Sequence, residues 1–135
     1  MIHHIKKLAA TPNKIDAALF LIRIGLGTIF ISEGWQKFSA MTGTIAFFHH
    51  LGFPAFLAYF VATVELVGGI LVLLGIWTQW AAVFLAAVMF VVIVYVKGSK
   101  GFFGSEFELS LFLSAVAIAL AGAGTYTAKS LFGKK

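Results

Sequence analysis

The sequence predicts an all-α integral membrane protein, a four-helix bundle with both termini cytoplasmic, and three observations carry that prediction. The first is composition: the chain is 61% hydrophobic and 11% charged, against about half apolar and a quarter charged in soluble domains. Its mean hydropathy of +1.01 leaves too few polar residues to cover a soluble surface. The second is segmentation: four apolar runs each approach the ~20 residues needed to cross a bilayer core. The third is the placement of basic residues. Lys6, Lys7, Lys14, Lys129, Lys134 and Lys135 gather near the two ends, while Lys37, Lys97 and Lys100 lie on the opposite side of the predicted bundle. Lysine excess marks the cytoplasmic side.

The spans are expected at about 15–34, 55–76, 79–96 and 107–124. All are expected to be helical, because a segment in lipid must satisfy its own backbone polar groups. Period-2 alternation is absent, and four strands are too few for a barrel. The first run is too long for a signal-peptide core and lacks a small-x-small cleavage site, so it is read as a retained span. Trp35 to Pro54 is a loop with room for a short interfacial helix. Only Trp77 and Thr78 separate the second and third spans, which predicts a tight hairpin. Lys97-Gly98-Ser99-Lys100-Gly101 opens a glycine-rich turn closed by Ser105, a predicted N-cap with Glu108 three residues on. Trp35, Trp77, Trp80 and Tyr95 fall at span ends, as in an aromatic belt. The 135 residues are read as one domain, 1–135.

Several function classes drop out. There is no cysteine, which removes thiol–disulfide relays and thiolate metal sites. His3, His4, His49 and His50 all lie outside the spans, so no axial haem ligand stands at depth and no metal site is expected. The terminal lysines are not interleaved with aromatics, which argues against nucleic acid. No nucleotide-binding loop or Ser–His–Asp set is present, and Gly25-x-Gly27 lies inside a span after no strand.

Charge at membrane depth is costly and marks either pairing or function. Arg23, Glu33 and Glu65 are such charges. Arg23, Gly27, Phe30, Gly34 and Lys37 form one stripe of the first span. Glu65, Gly68, Val72 and Gly75 form a similar stripe of the second, where glycines admit a helix or a flat ligand. From the span limits, Arg23 and Glu65 are expected about 5 Å apart along the membrane normal, which predicts an interior ion pair. Arg23, Glu65, Gly68 and Gly27 are therefore the candidate ligand site, with a purely structural pair as the alternative. Glu33 pairs with Lys37 at i,i+4. Glu33, Gln36, Lys37 and Glu108, joined by Glu106, are the candidate outer polar cluster, although carboxylates at a helix N-terminus are also ordinary.

The order of these motifs resembles the DoxX-like membrane proteins. The resemblance rests on Arg23-Ile24-Gly25-Leu26-Gly27, on Glu33-Gly34-Trp35-Gln36-Lys37-Phe38 and on Leu51-Gly52-Phe53-Pro54. It continues through Glu65-Leu66-Val67-Gly68-Gly69, Leu74-Gly75-Ile76-Trp77-Thr78, Phe107-Glu108 and Gly122-Ala123-Gly124, so that it spans Leu19 to Tyr126. The chain departs from the family at Glu33, where many members carry histidine, and at Tyr126-Thr127-Ala128-Lys129, where many carry Ser-Leu-Asp. The family takes its name from a subunit of a thiosulfate:quinone oxidoreductase. The resemblance implies a multi-pass protein of the bacterial inner membrane, acting as a quinone-interacting or accessory subunit of a membrane oxidoreductase. Quinone is the expected ligand, with no covalently bound cofactor. The chain has no self-contained redox centre, so a redox protein is the expected partner beside the bilayer, and the glycine faces permit a homo-oligomer. The rival is a non-catalytic small-molecule or lipid carrier, or a membrane assembly factor.

Overall fold

The computed structural model describes residues 12–96 and 105–128. The glycine-rich turn at 97–101, His3, His4 and all the terminal lysines except Lys14 lie outside those residues. Helix α1 runs Pro12–Ser39, α2 Met41–His50, α3 Ala55–Leu74, α4 Thr78–Val91 and α5 Glu106–Ala121, with α4 continuing into a π turn at Val92–Val96. Among the described residues there is no strand. The protein is an all-α membrane bundle. Three stretches have the length and hydropathy to cross a bilayer: Asn13–Ser39, Ala55–Leu74 and Thr78–Val96.

The fourth expected span is shorter than the sequence implied. Helix α5 has 16 residues, about 24 Å of rise, and stops where Gly122 takes φ +86°. The chain then continues without regular structure back against α1, where Thr125 donates to Asp16. The second span also stops early, because Gly75 takes φ +77°. Ile76 N–H donates to the Leu71 carbonyl at 3.0 Å, which closes the helix in a Schellman manner. Trp77, a non-glycine residue at φ +48°, completes the hairpin into α4. Ser105 occupies the expected N-cap position of α5, but its side chain makes no capping bond.

Glycine sets the helix spacing. A Cβ on Gly27 would lie 2.8 Å from the Gly69 carbonyl oxygen, and one on Gly34 would lie 2.6 Å from the Leu66 nitrogen. The backbones of α1 and α3 therefore touch, antiparallel, with Ala58 and Ala62 fully buried beside them. Gly68 faces the other way and receives Leu85 of α4. Helix α5 packs antiparallel on α4, with Phe90 and Phe112 rings 6.2 Å apart. Gln79 Nε2 donates to the Ala119 carbonyl at 2.8 Å. Leu26, Phe30, Val72, Leu85, Leu111 and Ile118 fill the centre.

The usual relation of charge to surface is inverted. Arg23 and Glu65 are 0% and 1% exposed, while Leu21 and Leu120 are 68% and 80% exposed. An outer surface of this kind is stable against hydrocarbon and not against water. Trp35, Trp77, Trp80 and Tyr95 are exposed at the helix ends, as the aromatic belt required.

Candidate functional site

Two polar centres lie inside the bundle, and they are separate. At the first, Arg23 on α1 donates from Nε to the Val72 carbonyl at 2.9 Å and from Nη2 to the Leu73 carbonyl at 3.0 Å. Its Nη1 donates to the Ala123 carbonyl at 3.0 Å and to the Tyr126 carbonyl. Four of the five guanidinium N–H donors thus end on backbone oxygens. These carbonyls lie at the C-terminal end of α3, where the helix dipole is negative, and in the segment after α5, and that of Val72 also accepts from the Gly75 N–H at 3.2 Å. Phe20 stacks beneath the guanidinium at 5.6 Å. A Cβ on Gly75 would strike Nη2 and the Thr127 side chain. The centre is closed on all sides.

At the second centre, Lys37 Nζ stands 2.8 Å from Glu65 Oε1 and 3.6 Å from Glu33 Oε1. The expected Glu33–Lys37 pair is present, but the expected Arg23–Glu65 pair is not. The cause is register. With Gly27 against Gly69 and Gly34 against Ala62 and Leu66, Arg23 reaches carbonyls seven and eight residues beyond Glu65, about 10–12 Å along the helix. Lys37, on the same stripe of α1, falls beside Glu65 instead. A Cβ on Gly27 would meet the Gly69 carbonyl and Leu73, and one on Gly68 would meet Leu85, while Gly68 also borders a second groove along α3 and α4.

Lys37 and Glu65 border a groove of about 740 Å³ between the end of α1, α2, α3 and α4. Pockets for small ligands occupy roughly this range of size. Helix α2, none of whose residues is fully buried, supplies one wall through Gly43, Thr44, Phe47 and Phe48. Phe53, Phe60, Phe84 and Tyr95 add aromatic surface, and the π turn contributes Val92 and Val96. Thr44 Oγ1 donates to the Ala40 carbonyl at 3.0 Å and the Lys37 carbonyl at 3.3 Å. A Cβ on Gly43 would meet nothing within 4 Å. This second, mostly apolar groove of about 550 Å³ runs along α3 and α4 past Thr63 and Gly68 to Trp77 and Trp80, and shares Phe60, Val64 and Phe84 with the first.

Gln36, Glu106 and Glu108, the other residues expected in the outer cluster, do not line the groove. Gln36 turns to Ser32 on its own helix at 2.9 Å. Glu106 and Glu108 lie in the first turn of α5. Among the described residues no three His, Asp or Glu side chains converge as a metal site. The sequence reading missed the Lys37–Glu65 pair and the groove-lining role of α2. The signal for the first was present in the seven-residue step from Gly27 to Gly34 on α1 and in Gly69 on α3. Matching those glycines brings Lys37 to Glu65.

The profile of the DoxX family matches residues 18–98. "Putative oxidoreductase CatD" of Bacillus subtilis (strain 168) is 40% identical over 82% of this chain and 83% of its own. "Inner membrane protein YqjF" of Escherichia coli (strain K12) is 27% identical over 89% of this chain and 95% of its own. An uncharacterized membrane protein of Mycobacterium tuberculosis is 33% identical over 87% of this chain and 83% of its own. No solved structure matches the chain. With more than half its length matched by that profile, the chain belongs to the DoxX family of membrane proteins.

Proposed function

We propose that this chain is an inner-membrane subunit of an oxidoreductase system that binds a lipid-soluble quinone in the groove beside Lys37 and Glu65. The observation that carries this reading is the pairing of one buried ionic group with about 740 Å³ of aromatic-lined space. An amphipathic ring needs such a wall: polar contacts at one edge and apolar contact everywhere else. Phe47, Phe48, Phe53 and Phe60 offer faces and edges for a planar ring. Lys37 and Glu65 can fix its polar substituents, and partly exposed Glu33 links them to the outside for proton exchange. This reading places the site away from Arg23, whose donors end on backbone carbonyls, and from Gly27, which packs against α3.

Electrons are to come from, or pass to, a partner protein with its own redox centre. The chain contributes no cysteine and no histidine within its membrane helices for that purpose. The relative named as an oxidoreductase and the one named as an inner-membrane protein support the setting.

Purification in mild detergent followed by organic extraction tests the reading. Quinone or hydroquinone in roughly stoichiometric amount from wild type, and its loss in Gly43→Leu, is the expected result. An extract holding only phospholipid, with no redox-active protein co-purifying, would overturn it in favour of a lipid carrier or assembly factor.

A further inference from the structure

Hydrogen-bond capacity at the polar wall of the groove is unbalanced. Lys37 supplies the ammonium donors, and two carboxylates, Glu33 at 3.6 Å and Glu65 at 2.8 Å, compete for them. An ammonium has three N–H groups, whereas two carboxylates offer about eight lone-pair positions. Thr44 adds to the same excess, because its hydroxyl proton is committed to backbone carbonyls and its remaining capacity is as an acceptor. Beside Lys37 and Glu65 the groove lining holds only two other polar side chains, Thr44 and Tyr95, so donors elsewhere in the wall do little to make up the deficit. The wall is short of donors.

A quinone and its hydroquinone differ at this point. The quinone oxygen only accepts, and against this wall it meets carboxylate lone pairs and an ammonium already engaged. The hydroquinone hydroxyl donates to Glu65 and can accept from Lys37. We infer that the groove selects the reduced, hydroxyl-bearing form of its ring ligand over the oxidised form, with Glu65 as the acceptor that makes the distinction. This inference rests on the ligand-groove reading above. Sites that hydrogen-bond a hydroxyl discriminate strongly against analogues lacking it, because the buried partner is left unmatched. A preference of this kind stabilises the bound reduced form relative to the free couple, so the groove retains hydroquinone and releases quinone.

The experiment uses the full chain in lipid nanodiscs and titration calorimetry with a decyl-substituted benzoquinone and its hydroquinone. The chain has no cysteine for the accompanying reductant to modify. A redox-inert pair, 4-decylphenol and its methyl ether, repeats the measurement without reductant. Hydroquinone and phenol are expected to bind about tenfold or more tightly than quinone and ether. Glu65→Gln, which replaces an acceptor by an amide that also donates, is expected to bring both ratios close to one. Equal or tighter binding of the quinone and the ether overturns the selectivity while leaving the groove reading intact. So does an unchanged ratio in Glu65→Gln. Binding of none of the four compounds to folded protein overturns the groove reading and the selectivity with it.

Discussion

The two buried ionic centres answer the same problem, charge at membrane depth, in opposite ways. Arg23 spends its donors on four backbone carbonyls from two parts of the chain, and Gly75, Thr127 and Phe20 crowd the space around it. Lys37 and Glu65 have each other, a partly exposed third member in Glu33, and a groove on one side. A buried charge whose hydrogen bonds are saturated by the fold is a strut. One that keeps unused capacity beside open space is a site. Burial alone does not separate the two, since Arg23 and Glu65 are equally hidden.

The contrast can be tested one variant at a time. Arg23→Gln should give the largest loss, about 3–5 kcal/mol of stability, because the carbonyls of Val72, Leu73, Ala123 and Tyr126 lose a shared partner. Thermal unfolding in detergent measures it. A stable Arg23→Gln protein that has lost only ligand binding would reverse the assignment of strut and site.

Lys37→Met should cost about 3 kcal/mol by leaving Glu65 charged and alone. Adding Glu65→Met should restore most of that, since a well-packed apolar pair commonly replaces a buried ion pair at little cost. Ligand binding should stay absent in the double variant, so the unfolding curve and the calorimetric titration are expected to diverge. If the double variant is as unstable as the single one, the pair is a strut as well.

Gly43→Leu should leave stability unchanged or raise it by up to about 1 kcal/mol, because the residue sits in a helix with space in front of it. Its side chain enters the groove, so binding should be abolished. Glu33→Gln should have the smallest effect on folding, about 0.3–0.5 kcal/mol for a partly exposed i,i+4 pair. A slowed proton exchange with no change in affinity would sharpen its role as the outer link.

The helices and their stripes were legible because they depend on local periodicity: Arg23, Gly27, Gly34 and Lys37 share a face, as do Glu65, Val72 and Gly75. Register was not legible from charge attraction. It is set by which backbone can press against which glycine, a steric match between distant segments. An error of seven residues in that match exchanges one partner of Glu65 for another. The early end of α5 was hidden for a related reason. Gly122-Ala123-Gly124 is as apolar as a helix end, but two positive-φ glycines turn it into a strap. Helix α2 was anticipated only as room for an interfacial helix, and its role as a groove wall depends on contacts with α3 and α4 that lie far away in the sequence.

The arginine clamp also has a bearing on the order of events during synthesis. Arg23 belongs to α1, the Val72 and Leu73 carbonyls arrive later with α3, and Ala123 and Tyr126 follow only after α5. Until that last strap is in place, the guanidinium enters the bilayer with half its donors unanswered. Helix α1 is therefore not finished until the segment after α5 has been made, and the assembled bundle, more than any single helix, is the unit that becomes stable in the membrane.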